Sequence, residues 1–199
     1  MDNGYWIIVN LAKGRLGAQA LTLGSLTFTM VKNALFSRTT KSLFTVYCDE
    51  VQNFVPQASE IETVLSEARK TGTGFVSANQ FLDQLPPEMR AALFSAGTHV
   101  FFELSSSDAM QVSQVLDGGK PLAERLKNLR QRHAVVKSGP DRSTELRVPD
   151  VVSPRVDYTD LLNRVRYTRG RVRAHVERDI AKRREGLRQA GNEAIHDFE

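Results

Sequence analysis

Residues 44–54 read Phe-Thr-Val-Tyr-Cys-Asp-Glu-Val-Gln-Asn-Phe, and the fold turns on this stretch. Residues 43–48 are β-branched and aromatic, which predicts a short buried strand. The strand runs directly into Asp49 and Glu50. In an open α/β sheet, ligands bind beyond the carboxyl ends of the strands. Two acids placed there can do complementary work: Asp49 can hold Mg²⁺ through water, and Glu50 can polarise a water that attacks a γ-phosphate. The alternative reading is a pair of solvated strand-end acids.

Working outward, residues 59–70 predict a helix. Ile61, Val64, Leu65 and Ala68 recur at helical spacing, Ser59 and Glu62 form a capping-box pattern, and Thr71-Gly72 is a helix stop. Residues 74–78 predict the next strand, ending at Asn79-Gln80. An amide at that strand tip can sense a γ-phosphate or place a lytic water; otherwise Gln80 caps a turn. Arg69, at the end of the intervening helix, is a further candidate, or simply a cation near the C-terminal dipole. Acids after one strand and a polar residue after the next form the Walker B and sensor order.

The remaining elements follow from periodicity and punctuation. Residues 5–10 (YWIIVN) predict a buried strand, and residues 98–104 another. The apolar spacing of Ala20, Leu23, Met30, Val31, Ala34 and Leu35 predicts a long helix. Pro87 opens a helix over 88–94, Ser107 caps one through Leu116, and Pro121 opens one carrying Leu122, Leu126 and Leu129. Residues 133–137 and 144–148 predict a hairpin, 148–154 a linker, and the chain from Tyr158 a basic helix. Alternating strands and helices predict an α/β layer with a mostly parallel sheet.

Composition bounds the function classes. The chain has 199 residues, 41% hydrophobic and 25% charged, and its longest apolar runs fall far short of a membrane span. No basic region precedes an apolar stretch at the N-terminus, so the expected location is cytoplasmic and reducing. The single cysteine, Cys48, excludes an internal disulfide and a multi-cysteine zinc site. The four histidines show no metal-ligand spacing and read as core or surface residues. Net charge is +4, yet residues 155–188 hold 11 Lys/Arg against 5 Asp/Glu, leaving −2 for the rest. Arg171, Arg173, Arg178, Arg183 and Arg184 flank a stripe of Val172, Val176 and Ile180, so they face DNA phosphates or solvent.

In residues 6–17 (WIIVNLAKGRLG), 44–54, 65–86 (LSEARKTGTGFVSANQFLDQLP) and 93–109 (LFSAGTHVFFELSSSDA), the sequence resembles the C-terminal half of the motor domain of type IV secretion coupling proteins and related bacterial DNA-pumping ATPases, the TraG/TraD and HerA/FtsK group. The resemblance runs from about Gly4 to Leu116. It implies part of a RecA-like P-loop NTPase domain at residues 1–120, followed by helix, hairpin and linker at 121–154 and a basic helical tail at 155–199. It also implies a hexameric ring, movement of DNA driven by ATP and Mg²⁺, and peripheral contact with a membrane secretion complex at the inner face of the membrane. By position, Asp49 would be the metal and nucleotide-side acid, Glu50 the catalytic base and Gln80 the sensor. Arg69 would be a finger reaching a neighbouring subunit's nucleotide, with Arg15 and Arg90 also near motif positions.

One element of that group is missing. A phosphate loop, G-x-x-x-x-G-K-[ST], does not occur: Gly118-Gly119-Lys120 runs into Pro121, and residues 14–17 lack the lysine and hydroxyl. The expectation is a split or truncated half that uses ATP only with a partner supplying the loop. The rival expectation is a non-catalytic DNA-binding or motor-interacting remnant or regulatory subunit.

Overall fold

A computed structural model describes residues 1–2, 4–55, 57–139, 143–152 and 157–196, with side chains as far as residue 189. The chain divides into two units, Met1–Pro149 and Asp150–Glu199. The acid-ended strand forms as β1, Phe44–Asp49, preceded by a short helix α1 (Lys13–Leu16) and the long helix α2 (Gln19–Phe36). Helix α3 (Ala58–Glu67) follows and tightens into a 3-10 turn over Ala68–Thr71. Its apolar spacing buries Ile61 and Val64 almost completely, at about 1.5–3 kcal/mol for each side chain. The predicted capping box does not form. The helix starts one residue earlier, after an extended Gln57 with no side-chain cap, and the Ser59 carbonyl instead accepts the Thr63 hydroxyl at 2.7 Å.

Gly72 then reverses the chain with φ of 69°. A Cβ there would stand 2.3 Å from the Lys41 carbonyl oxygen, so both backbone sign and space demand glycine. Strand β2 (Thr73–Ala78) pairs parallel to β1, with Phe44 opposite Thr73 and Asp49 opposite Ala78. A core of Phe28, Val51, Val55, Ile61, Val64 and Met89 forms beside this pair. Helix α4 (Pro87–Phe94) begins with Pro87 in its first turn, where a missing N–H costs nothing.

The mostly parallel sheet expected from sequence is not formed among the described residues. Strand β3 (Thr98–Phe101) leaves the β1–β2 pair and joins an antiparallel sheet, β3-β4-β5, with β4 at His133–Ser138 and β5 at Thr144–Arg147. The hairpin partner supplies a nearby edge, and antiparallel pairing gives well-aligned ladder bonds. Helices α5 (Ser106–Val115) and α6 (Gly119–Lys127) close a second core of Ala109, Val112, Leu122, Leu126, Leu129 and Val135. Residues 121–149 thus belong to the first unit. Ser105, rather than Ser107, caps α5, its hydroxyl accepting the Asp108 N–H at 3.1 Å.

Residues 5–10 are a second correction. They make no strand: no described neighbour offers them a ladder, and Trp6 and Ile8 stand 92% and 85% exposed. In the second unit, α7 (Thr159–Arg169) and α8 (Arg173–His196) are separated by Gly170, Arg171 and Val172. The hairpin turn at 140–142 and the linker residues 153–156 lie outside the described residues. No described helix is long and apolar enough to cross a membrane.

Candidate functional site

The parallel register brings the carboxyl ends of β1 and β2 level, so Asp49, Glu50 and Gln80 gather at one sheet edge. Glu50 leaves the strand in the left-handed region, φ 52° and ψ 52°, a conformation uncommon for a non-glycine residue. The chain then enters a 3-10 turn, Val51–Asn53, pinned by a fully buried Val51 and by the Asn53 N–H donating to the Glu50 carbonyl at 2.8 Å. This turn holds Glu50 at the rim of an open cleft of about 630 Å³, lined by Lys13, Glu50, Gln52, Asn53, Gln80 and Gln84. Lys13 Nζ donates to Asn53 Oδ1 at 3.2 Å and is the cation of that lining.

Gln52 Nε2 donates both to Glu50 Oε2, at 2.5 Å, and to Gln84 Oε1, at 2.9 Å. Gln52 Oε1 is buried with no hydrogen-bond partner among the described residues. Asp49 is exposed and makes no side-chain hydrogen bond among the described residues. Its carboxylate is therefore open to a hydrated cation. Next to it, burial first and then the charge of Asp49 push the Cys48 thiol up to about 11, which disfavours the thiolate.

Arg69 lies elsewhere. It sits exposed in the turn that precedes β2, at the amino edge of the parallel pair, a strand's length of roughly 20 Å from Glu50. Arg15 is exposed on α1. Arg90 is occupied within the fold, donating to the Leu85 carbonyl at 3.0 Å and to Gln111 Oε1 at 2.7 Å. In the second unit, Arg171 pairs with Asp179 and Arg173 with Glu177, while Arg178 donates to the Ala174 carbonyl. Arg183 and Arg184 are exposed and make no ion pair among the described residues.

His99 stacks on Phe101 at 5.9 Å and lies 5.9 Å from Phe94; burial holds its imidazole below the usual range. No three metal-ligating side chains cluster among the described residues.

Lys13, Asn53 and Gln84 are cleft residues that sequence reasoning did not assign, and Gln52 was quoted within the motif without a role. Gln52 and Asn53 could have been found from their place just after the acids. Lys13 and Gln84 reach the cleft only through tertiary packing.

Comparison with known proteins comes from structure alone, since no family model and no curated protein matches the chain. VirB4 of Thermoanaerobacter pseudethanolicus superposes with a TM-score of 0.56 at 12% identity, covering 69% of this chain and 40% of that one. The fold is shared with part of VirB4. The DNA-packaging ATPase B204 from Sulfolobus turreted icosahedral virus matches with a TM-score of 0.49 at 17% identity, over 63% of this chain and 62% of that one. The genome-packaging NTPase B204 from Sulfolobus turreted icosahedral virus 2, in complex with AMPPCP, gives 0.48 at 16% identity, over 66% and 62%. The chain thus spans less than two thirds of the length of each of these structures.

Proposed function

We propose that this chain is the hydrolysis-side part of an ATP-driven DNA-translocating motor of the kind that serves conjugative transfer and type IV secretion. The observation that carries the reading is the meeting, at one parallel-sheet edge, of Asp49, a left-handed Glu50 and Gln80, the last two lining an open cleft. The fold shared with part of VirB4 supports it. Glu50 is the base that takes a proton from the attacking water, Gln80 senses the γ-phosphate, and Lys13 adds positive charge for a polyphosphate. The exposed, unpartnered carboxylate of Asp49 fits a hydrated Mg²⁺, which would neutralise phosphate charge. The phosphate loop comes from outside these 199 residues, on another stretch of polypeptide. Arg69, exposed and remote from Glu50 on its own chain, serves in this reading as a finger for a neighbour's nucleotide in a ring.

The test is phosphate release. The 199-residue chain alone hydrolyses no ATP above background, and adding a polypeptide with the phosphate loop and its helix restores turnover. Glu50→Gln then abolishes turnover and leaves nucleotide binding largely intact, and Arg69→Ala lowers turnover about 10³-fold or more. Steady release by the chain alone would refute the split. In mixed rings, failure of subunits with intact Arg69 and defective Glu50 to rescue Arg69→Ala subunits would refute the trans role.

A second reading, a non-catalytic DNA-binding module, draws on the exposed Arg183 and Arg184 of α8. It predicts DNA binding through the second unit with no turnover in any assembly.

A further inference from the structure

We propose that Gln52 is the positioning residue of Glu50, and that Gln84 holds it in place; this rests on the reading of Glu50 as the base. A carboxylate can only accept, so the 2.5 Å contact assigns the nitrogen of Gln52, not its oxygen, to Glu50 Oε2. The second proton of the same amide goes to Gln84 Oε1 at 2.9 Å. The amide is thus fixed by its nitrogen side at the expense of its oxygen, which is left buried and unpaired. A buried acceptor without a partner is a departure from the usual rule and costs about 1–3 kcal/mol. It coincides with a second cost two residues earlier, the left-handed backbone of Glu50. Two unfavourable features around one carboxylate mark a geometry held for a purpose other than packing.

The acceptor that anchors the arrangement is itself fixed. Gln84 closes the 3-10 turn Leu82–Gln84, and that turn is tied down from two sides. The Leu82 N–H donates to the buried Asp108 carboxylate at 3.3 Å, and Arg90 grips the Leu85 carbonyl at 3.0 Å. The chain of contacts runs from α5 through the turn to Gln84, Gln52 and Glu50. It occupies Oε2 of Glu50 and leaves Oε1 as the oxygen that can take a proton from water. A base held in a near-attack orientation gains rate without gaining substrate affinity.

Two measurements test this. In the full chain, the side-chain amide of Gln52, assigned by its loss in Gln52→Met, should exchange with solvent about tenfold more slowly than that of the exposed Gln19. Glu50→Ala should speed exchange of the proton bonded to Glu50, while the proton bonded to Gln84 stays the slower of the two. In the assembled motor, Gln52→Met should lower kcat about 10- to 100-fold with the KM for ATP within about threefold. Exchange of the Gln52 amide as fast as Gln19 overturns the proposal, and so does wild-type kcat in Gln52→Met beside a dead Glu50→Gln. If Glu50→Gln keeps full turnover, the reading of Glu50 as base falls; protected exchange would still support Gln52 as the group that orients its carboxylate.

Discussion

The carboxylate of Asp108, 2% exposed, accepts the backbone N–H of Leu82 at 3.3 Å and so ties the start of α5 to the turn that carries Gln84. Leu82 also touches both hydrophobic cores, so this contact joins the two layers of the first unit. Asp108→Ala leaves the Leu82 N–H without its acceptor, at a cost of about 1–3 kcal/mol. With about 2–4 °C lost per kcal/mol at this chain size, thermal unfolding should fall by roughly 2–12 °C. An unchanged melting temperature would show that the contact contributes nothing.

Glu50 presents the opposite case, a residue whose conformation disfavours it. Glycine adopts the left-handed region freely, whereas other residues store roughly 1–3 kcal/mol there. Glu50→Gly should therefore leave the chain as stable as before or up to about 1 kcal/mol more stable, even though it deletes the Gln52 contact. In the assembled motor the same substitution should abolish turnover. Chemical denaturation and phosphate release on one sample check both halves. A marked loss of stability would mean that the backbone at Glu50 is not strained.

Glu145 gives a pH dependence. It accepts from His133 at 3.0 Å and from Arg125 at 3.1 Å, and these partners, His133 first, hold its carboxyl below the ordinary glutamate range. A depressed carboxyl adds stability that is complete above its unfolded value, about 4.3, and fades as pH falls through and beneath the folded value. Unfolding curves between pH 7 and pH 3 should show the native chain losing stability more steeply than Glu145→Gln on the acid side. Parallel curves would remove Glu145 from the account. The carboxylate is solvent-exposed, so the difference should shrink with added salt.

The second unit predicts a salt dependence. Arg171 and Arg173 are engaged by Asp179 and Glu177 and Arg178 is held on the Ala174 carbonyl, which leaves Lys182, Arg183, Arg184 and Arg188 as exposed α8 cations with no ion pair among the described residues. If these neutralise about four phosphates, log K for duplex DNA should fall against log salt with a slope of about −3 to −4. Tyr158 and Tyr167 are the only Phe, Tyr or Trp residues between Arg155 and Arg188, so base stacking on single strands adds little. A chain ending at Pro149 should lose the binding. Equal affinity of the two chains would make α8 a protein-contacting helix instead.

Local chemistry made the parallel pair legible. The apolar run into Asp49, the α3 stripe and the stop at Gly72 each specify their element with neighbours a few residues away, and together they place Glu50 and Gln80 at one edge. Pairing partners further off were not legible. Residues 98–101 read equally well as a strand of either sheet, and the edge that β3 takes, with Thr98 opposite Ser138, lies far along the chain. Residues 5–10 have a strand's composition, but composition does not supply a partner edge. The same limit applies to the cleft: Lys13 and Gln84 stand 71 positions apart in sequence, and nothing local marks either as a neighbour of Glu50.

The exposure of residues 5–10 has a practical side. Trp6 is the sole tryptophan of the sequence and is almost wholly in water, a few residues ahead of the lysine that lines the cleft. Every photon of indole fluorescence from this chain therefore originates at that one place. Its emission is red-shifted and open to iodide quenching while the segment is bare. A polypeptide laid over it would shift the spectrum to the blue and shield it, so assembly can be followed optically in the unlabelled protein.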